Sequence, residues 1–165
     1  MSRGFVKEGD QEEAPFIPPR AALPAGVDNY VTPYGLEELL SERENLEKQL
    51  KNLPTDETER RRESALIEGK LNLLNERISS ARVINPKNQP QEEVRFGAVV
   101  TFELNGKTQK FQIVGVDEAQ IKNKKIAFTA PLSQALIGSK SGEIVDFKNG
   151  NRKLKIKVLN IEYPQ

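Results

Sequence analysis

The chain of 165 residues contains no cysteine, no histidine and no tryptophan. Without Cys and His there is no thiol nucleophile, no imidazole acid or base, and no zinc site of thiolate or imidazole ligands. A disulfide framework is excluded as well, so nothing points to an oxidising compartment. Long apolar runs are missing: none approaches the roughly 18 residues of a membrane span. The opening Met1-Ser2-Arg3-Gly4-Phe5 lacks the apolar stretch of a secretory signal. An excess of one charge is missing too, with 25 Lys+Arg against 24 Asp+Glu, net +1. The expectation is a soluble, cytoplasmic protein without a membrane partner, and not a uniformly basic nucleic-acid binder.

The charge that is present is unevenly spread. Residues 94–165 hold 12 Lys/Arg and 6 Asp/Glu, net +6, whereas residues 1–93 hold 13 and 18, net −5. Residue patterning changes along the chain as well, which supports two modules. Residues 1–32 read as a flexible tail, with Pro15, Pro18, Pro19 and Pro24 and no lasting apolar period. Within it, Phe5, Phe16 and Ile17 are candidates to dock on a neighbouring surface. Residues 83–93, with Asn85-Pro86 and Pro90, read as a linker.

Residues 33–82 carry helical periodicity. Thr32 suits an N-cap and Pro33 a first helical position. Leu36, Leu39, Arg43, Leu46, Leu50 and Leu53 then recur at spacings of 3 and 4, an a/d seam with Arg43 as its polar break. Pro54 stops this helix. Thr55 or Asp56 can cap the next, and Asp56 with Glu59 has capping-box spacing. Ile67, Leu71, Leu74, Ile78 and Ala81 continue the pattern on the second helix. Helices joined by so short a turn are antiparallel neighbours. Extending the second seam toward the turn gives Ser64, Arg60 and Glu57, so the packing lies at the base and the tip is polar.

Residues 94–165 read as an α+β domain. Ala98–Leu104 and Lys107–Val114 flank Asn105-Gly106, a strong hairpin signal. Lys125–Phe128 is a short strand candidate, and Pro131 opens a short helix, Leu132–Ile137, that Gly138 ends. Glu143–Phe147 and Lys153–Tyr163 complete the strands. Alternation places Leu154, Ile156, Val158 and Asn160 on one face of the last, and Lys153, Lys155, Lys157 and Leu159 on the other.

Little in these residues forms a recognisable catalytic motif. Gly138-Ser139-Lys140-Ser141-Gly142 lacks phosphate-loop spacing and reads as a surface turn. Arg60-Arg61-Arg62 is either a solvated helix face or a phosphate contact. Asp56, Glu57 and Glu59 sit at a helix N-terminus, where capping and the helix dipole alone favour acids. Alternatively they are carboxylates carried on a probe, able to complete a Mg²⁺ shell in another protein but too few to hold a metal alone.

Several segments resemble the bacterial Gre transcript-cleavage factors, the GreA/GreB family. Tyr30-Val31-Thr32-Pro33-Tyr34-Gly35-Leu36 is similar to the opening of the family's first helix, and Arg77-Ile78 with Ala81-Arg82-Val83-Ile84 to the end of its second. Val94–Val100, Phe111–Ala119 and Ala130–Gly138 resemble its V-x-F-G-x-x-V, [YF]-x-I-V-G-x-[DE]-E-A and S-P-[LMI]-x-x-A-L-[LI]-G segments. Ser2–Glu8 resembles a short-coil, tailed branch. The resemblance covers about residues 30–165.

It implies an antiparallel coiled-coil hairpin followed by an FKBP-like antiparallel sheet domain with one short helix. It further implies a monomer that binds RNA polymerase and inserts the hairpin into the secondary channel. There it would modulate cleavage of backtracked RNA without being an enzyme or owning a cofactor. On this reading Asp56 and Glu59 share the polymerase's Mg²⁺, Arg60, Arg61 and Arg62 face the RNA 3′ portion, and Thr129, Pro131 and Leu132 form the docking edge. The family tip reads G-D-x-[SK]-E-N-A-[ED]-Y; Asp56 and Glu59 keep its D-x-x-E spacing, but the residues that follow differ. The hairpin is also shorter, by roughly 7 Å at 1.5 Å per residue. An alternative reading is therefore a channel binder that tunes or inhibits transcription without stimulating cleavage. An FKBP-like prolyl isomerase or chaperone is the further alternative. Against it, residues 94–165 contain one Tyr and no Trp to floor a proline pocket.

Overall fold

The apolar seam of residues 33–82 produces two antiparallel helices, α1 (Pro33–Lys51) and α2 (Glu57–Ser80), in a computed structural model that describes residues 14–164. Leu39 and Leu46 of α1 pack against Ile67 and Leu74 of α2, flanked by half-buried Leu36, Leu50, Leu53, Leu71 and Ile78. Arg43 is accommodated by reaching Asn75 Oδ1 across the seam at 3.5 Å. Toward the turn, Glu57 and Arg60 are exposed and Ser64 is half-buried, so apolar packing fades there.

The hairpin is closed at its base by a pair of strands, β1 (Asn29–Val31) and β2 (Ala81–Val83). They run parallel, with Asn29 opposite Ala81 and Val31 opposite Val83. Parallel neighbours need a long crossover, and the hairpin itself is that crossover. Residues 14–32 are therefore more than the tail expected from their prolines. Besides β1, Ile17 packs so closely on α2 that a Cβ added to Gly69 would meet its Cδ1 at 2.4 Å. Phe16, in contrast, stays exposed. The docking expected of Phe5 and the resemblance over Ser2–Glu8 lie outside the described residues.

The second module is a five-stranded sheet in the order β5-β4-β3-β7-β6. Its strands are β3 (Val99–Leu104), β4 (Lys107–Val114), β5 (Lys125–Ala127), β6 (Ile144–Asn149) and β7 (Arg152–Glu162). Helix α3 (Pro131–Leu136) follows β5. Asn105 and Gly106 have φ of 52° and 75°, the left-handed pair that a two-residue type I′ hairpin requires. The sheet is mixed rather than wholly antiparallel, because β4 and β5 pair in parallel after the excursion through residues 115–124. Val100, Phe102, Phe111, Ile113, Ile156 and Val158 form its core.

One detail of β7 departs from simple alternation. Thr101 pairs with Asn160 but Phe102 pairs with Val158, so Leu159 is an extra residue in the strand. Such a bulge advances the side-chain phase by one. Asn160 is consequently exposed instead of sharing the face of Ile156 and Val158, while Ile161 packs against the core and Tyr163 is buried.

Candidate functional site

The hairpin has two chemically distinct ends. At its tip, Asp56 is the N-cap of α2, its side chain accepting a hydrogen bond from the Glu59 amide at 3.0 Å. Glu57 and Glu59 occupy the first turn, where the unsatisfied amides and helix dipole favour negative charge. Arg60, Arg61 and Arg62 follow on the next turn, and all of these residues are exposed. The structure therefore places Asp56, Glu59 and the arginines together. Among the described residues there is no group of three or more Asp, Glu, His or Cys that could hold a metal. Two tip carboxylates alone offer too few oxygens for a complete divalent-metal site.

At its root, the hairpin is held to the sheet by residues from both modules. Tyr30 of β1 inserts beside Phe96 and Phe128, with ring centroids 5.9 and 5.5 Å away, and the two phenylalanines meet edge to face at 5.6 Å. Gly115 makes room for this strand: a Cβ there would meet the Tyr30 carbonyl oxygen at 2.4 Å. Thr32 Oγ1 accepts from the Gly35 amide at 2.9 Å as N-cap of α1 and donates to Glu118 Oε1 at 2.5 Å. Lys125 Nζ donates to the other Glu118 oxygen at 2.9 Å and lies 4.2 Å from the centroid of the Tyr34 ring. Gly35 is required for this fit, since its Cβ would meet Glu118 Oε1 at 2.7 Å.

Beside this cradle lies a charge network. Asp117 Oδ1 accepts from Arg20 Nε at 3.0 Å and Oδ2 from Arg77 Nη1 at 2.8 Å. Arg20 also grips Glu42 of α1 through both terminal nitrogens, at 2.7 and 3.1 Å. The Glu42 hydrogen bond, together with the charge of Asp117, holds the Arg20 guanidinium above its ordinary range against partial desolvation. Arg77 of α2 further donates to the Ala21 carbonyl. Thus the segment before β1, α2 and the sheet module meet at one carboxylate, and α1 joins them through Arg20.

Reading the sequence assigns no role to Arg20, Glu42, Asp117 or Glu118. The signal is nonetheless present: the segments Tyr30–Leu36 and Phe111–Ala119 that carry the family resemblance are those that meet here. Thr129, Pro131 and Leu132 lie just beyond Phe128, so this edge is close to the root and far from the tip. Pro131 is exposed at the start of α3, with Thr129 and Leu132 half-buried. Ser133 Oγ and Gln134 Nε2 fix the loop by donating to the carbonyls of Ala127 and Phe128, each at 2.7 Å.

Comparison with known proteins identifies relatives of the sequence. The family described as "Transcription elongation factor, GreA/GreB, C-term" matches residues 89–163. Transcription elongation factor GreA of Thermodesulfovibrio yellowstonii is 35% identical over 105 residues, covering 62% of this chain and 66% of that one. GreA of Neorickettsia sennetsu is 37% identical over 109 residues, covering 65% and 69%. The chain thus spans about two thirds of the length of the curated relatives it matches. Among solved structures, GreA factor homolog 1 of Thermus thermophilus shows a distant likeness, with TM-score 0.38, 22% identity, and 82% of this chain and 99% of that one covered. On the sequence relationship, this chain belongs to the GreA/GreB family of transcription elongation factors.

Proposed function

We propose that the chain binds RNA polymerase through its sheet module, passes the hairpin into the secondary channel, and modulates cleavage of backtracked RNA by the polymerase's own active site. The observation that carries this reading is the placing of Asp56 and Glu59, exposed at the end of a hairpin whose root is locked to the sheet. With 24 residues, α2 sets the tip about 36 Å from the root at 1.5 Å per residue. Thr129, Pro131 and Leu132 sit at the root, where a docked module would orient the hairpin. In this reading the chain works as a cytoplasmic monomer and contributes no complete catalytic site. The polymerase's Mg²⁺ would supply Lewis-acid activation of the attacking water. Asp56 and Glu59 contribute negative oxygens beside it, and Arg60, Arg61 and Arg62 contact phosphates of the RNA 3′ portion.

The test uses a stalled elongation complex with wild-type protein, Asp56→Asn and Asp56→Ala. Asn caps nearly as well as Asp, so Asp56→Asn should retain the melting temperature yet lose stimulation of RNA cleavage. A second reading, a channel binder that does not stimulate cleavage, is favoured by the engagement of Asp56 Oδ2 in its own cap. Binding to polymerase with slowed nucleotide addition, and no stimulation by wild type over a wide Mg²⁺ range, would establish that reading instead.

A further inference from the structure

The chain that precedes β1 lies along α2 as an extended strap. Ile17 rests on Gly69, and the Ala21 carbonyl accepts from Arg77, eight residues closer to the root. Between them, Pro18 and Pro19 line a groove with Leu46 of α1 and with Lys70 and Leu73 of α2. Pro15, Pro18 and Pro19 favour extended backbone, and residues 14–20 form neither helix nor strand. These contacts fix the direction of the strap. Followed backwards from Ala21 to Ile17, it runs from the root toward the tip.

The face of α2 beneath the strap continues to the arginines. A helix turns about 100° per residue, so Arg62, seven residues before Gly69, lies within about 20° of the Gly69 direction. Arg61 flanks this line at about 80°, and Arg60 points about 180° away. Glu59 and Glu63 stand on the other flank, which steers an acidic chain toward Arg61. Along the axis, Arg62 is about 10 Å from Gly69 at 1.5 Å per residue. Extended chain at about 3.1 Å per residue covers that in three to four residues. Counted back from Ile17, this reaches residue 13 or 14. Next in line, outside the described residues, comes Glu8-Gly9-Asp10-Gln11-Glu12-Glu13, with four acids and no base. Helical side chains lean toward the N-terminus, so the guanidinium groups of Arg61 and Arg62 lie further along the same path. Holding the hairpin uses Ile17 and Arg20 and gives these acids no role.

We propose that the acidic run of residues 8–13 is an intramolecular cover for Arg61 and Arg62, competing with phosphates for the same guanidinium groups. A carboxylate tethered in the same chain acts at high effective concentration. A ligand that needs the uncovered arginines then binds more weakly, in proportion to the fraction covered. The bearing on backtracked RNA rests on the proposed function, whereas the contact itself does not.

The chain has no cysteine, so Thr55→Cys places a single nitroxide label in the exposed tip turn. Paramagnetic broadening of the amides of residues 8–13 is measured in the full-length protein at low salt. Broadening is expected with all arginines present, retained in Arg60→Gln and lost in Arg61→Gln/Arg62→Gln. Exchanging the charges, with Arg61→Glu/Arg62→Glu and Glu12→Arg/Glu13→Arg in one chain, should restore it. A second arm measures binding of a short oligouridylate by fluorescence anisotropy. Glu8→Gln/Asp10→Asn/Glu12→Gln/Glu13→Gln should bind it roughly 2- to 30-fold more tightly than wild type, the span expected of two solvated ion pairs. The gain should vanish in the Arg61→Gln/Arg62→Gln background. Absence of broadening at low salt, or broadening unchanged by loss of Arg61 and Arg62, overturns the proposal. So does broadening seen only between labelled and isotope-enriched copies, which makes a second chain the occupant. An equal gain in RNA affinity in both backgrounds, or no RNA binding by the acid-neutralised variant, overturns the competition. Neither arm contains polymerase, so failure of the channel reading on stalled complexes is a separate result.

Discussion

Replacing Asp117 by Asn is the sharpest probe of how the hairpin is held. The Asp117 side chain is 7% exposed and sits between Arg20 and Arg77, whose side chains are 18% and 14% exposed. Asn can accept from one guanidinium with its oxygen, but its amide then faces the other as donor to donor, and the negative charge is gone. Removing one partner of a buried ion pair costs about 3–5 kcal/mol. Here Arg20 keeps Glu42 and Arg77 keeps the Ala21 carbonyl, so the expected loss is smaller, about 2–4 kcal/mol. In a chain of this size that lowers Tm by roughly 4–16 °C. Urea unfolding followed by far-UV circular dichroism reads the loss as a shift in midpoint. A second arm adds Arg20→Met. Removing the stranded cation together with the carboxylate should recover part of the loss, a coupling of about 0.5–3 kcal/mol. A loss below about 0.5 kcal/mol in Asp117→Asn, or strictly additive substitutions, would refute the idea that this carboxylate joins the modules.

Other expectations address single contacts. Gly115→Ala drives a Cβ into the backbone of Tyr30, so it should destabilise by more than about 2 kcal/mol in the same urea assay. Gly69→Ala meets only the flexible end of Ile17 and gains up to about 1 kcal/mol of helix propensity. It should leave Tm nearly unchanged while making the chain before β1 easier to cut in limited proteolysis. Tyr163 donates to the Glu93 carbonyl and accepts from the Arg95 amide, and burial pushes its pKa upward. The neutral phenol is thus favoured in the fold. Its contribution is full below the unfolded value of about 10 and is lost as pH rises through the higher folded value. Tyr163→Phe should remove this alkaline dependence, at a cost of about 1–2 kcal/mol near neutrality. Neutralising Arg60, Arg61 and Arg62 to Gln should change stability by less than about 0.5 kcal/mol but weaken action on backtracked complexes, with a difference that shrinks in high salt.

Features encoded by local chemistry are legible in the residues themselves. The leucine seam, the Thr32 and Asp56 caps and the Asn105-Gly106 turn each rest on spacing within a few positions. Features set by distant partners are not. Three-residue strands such as β1 and β2 have no period to detect, and their pairing depends on the hairpin bringing residues 29 and 81 together. The bulge at Leu159 leaves the written alternation intact while shifting every inward side chain after it. At the root, Thr32 and Glu118 are 86 positions apart and Arg20 and Asp117 are 97 apart, so no local pattern connects them. At the tip, Asp56 is readable as a cap from its spacing to Glu59. The Thr129–Leu132 edge is visible only through family resemblance, because its side chains follow no period of their own.

The parallel pairing of β1 with β2 makes the hairpin a lever with a clamped fulcrum. Both ends of the chain segment that forms it are fastened side by side, and the Ile84 amide adds one more bond to the Val31 carbonyl at 2.8 Å. Rotation about either connection alone is thereby blocked, so tip and root move as one body. Over an arm of about 36 Å, a tilt of about 10° at the fulcrum would carry the carboxylates about 6 Å sideways. If the tip acts as proposed, beside a metal held by the polymerase, ligation would tolerate about 0.2 Å. Small changes where Tyr30, Glu118 and Asp117 meet the sheet are therefore multiplied at Asp56, and the aim of the tip is set by residues that never approach it.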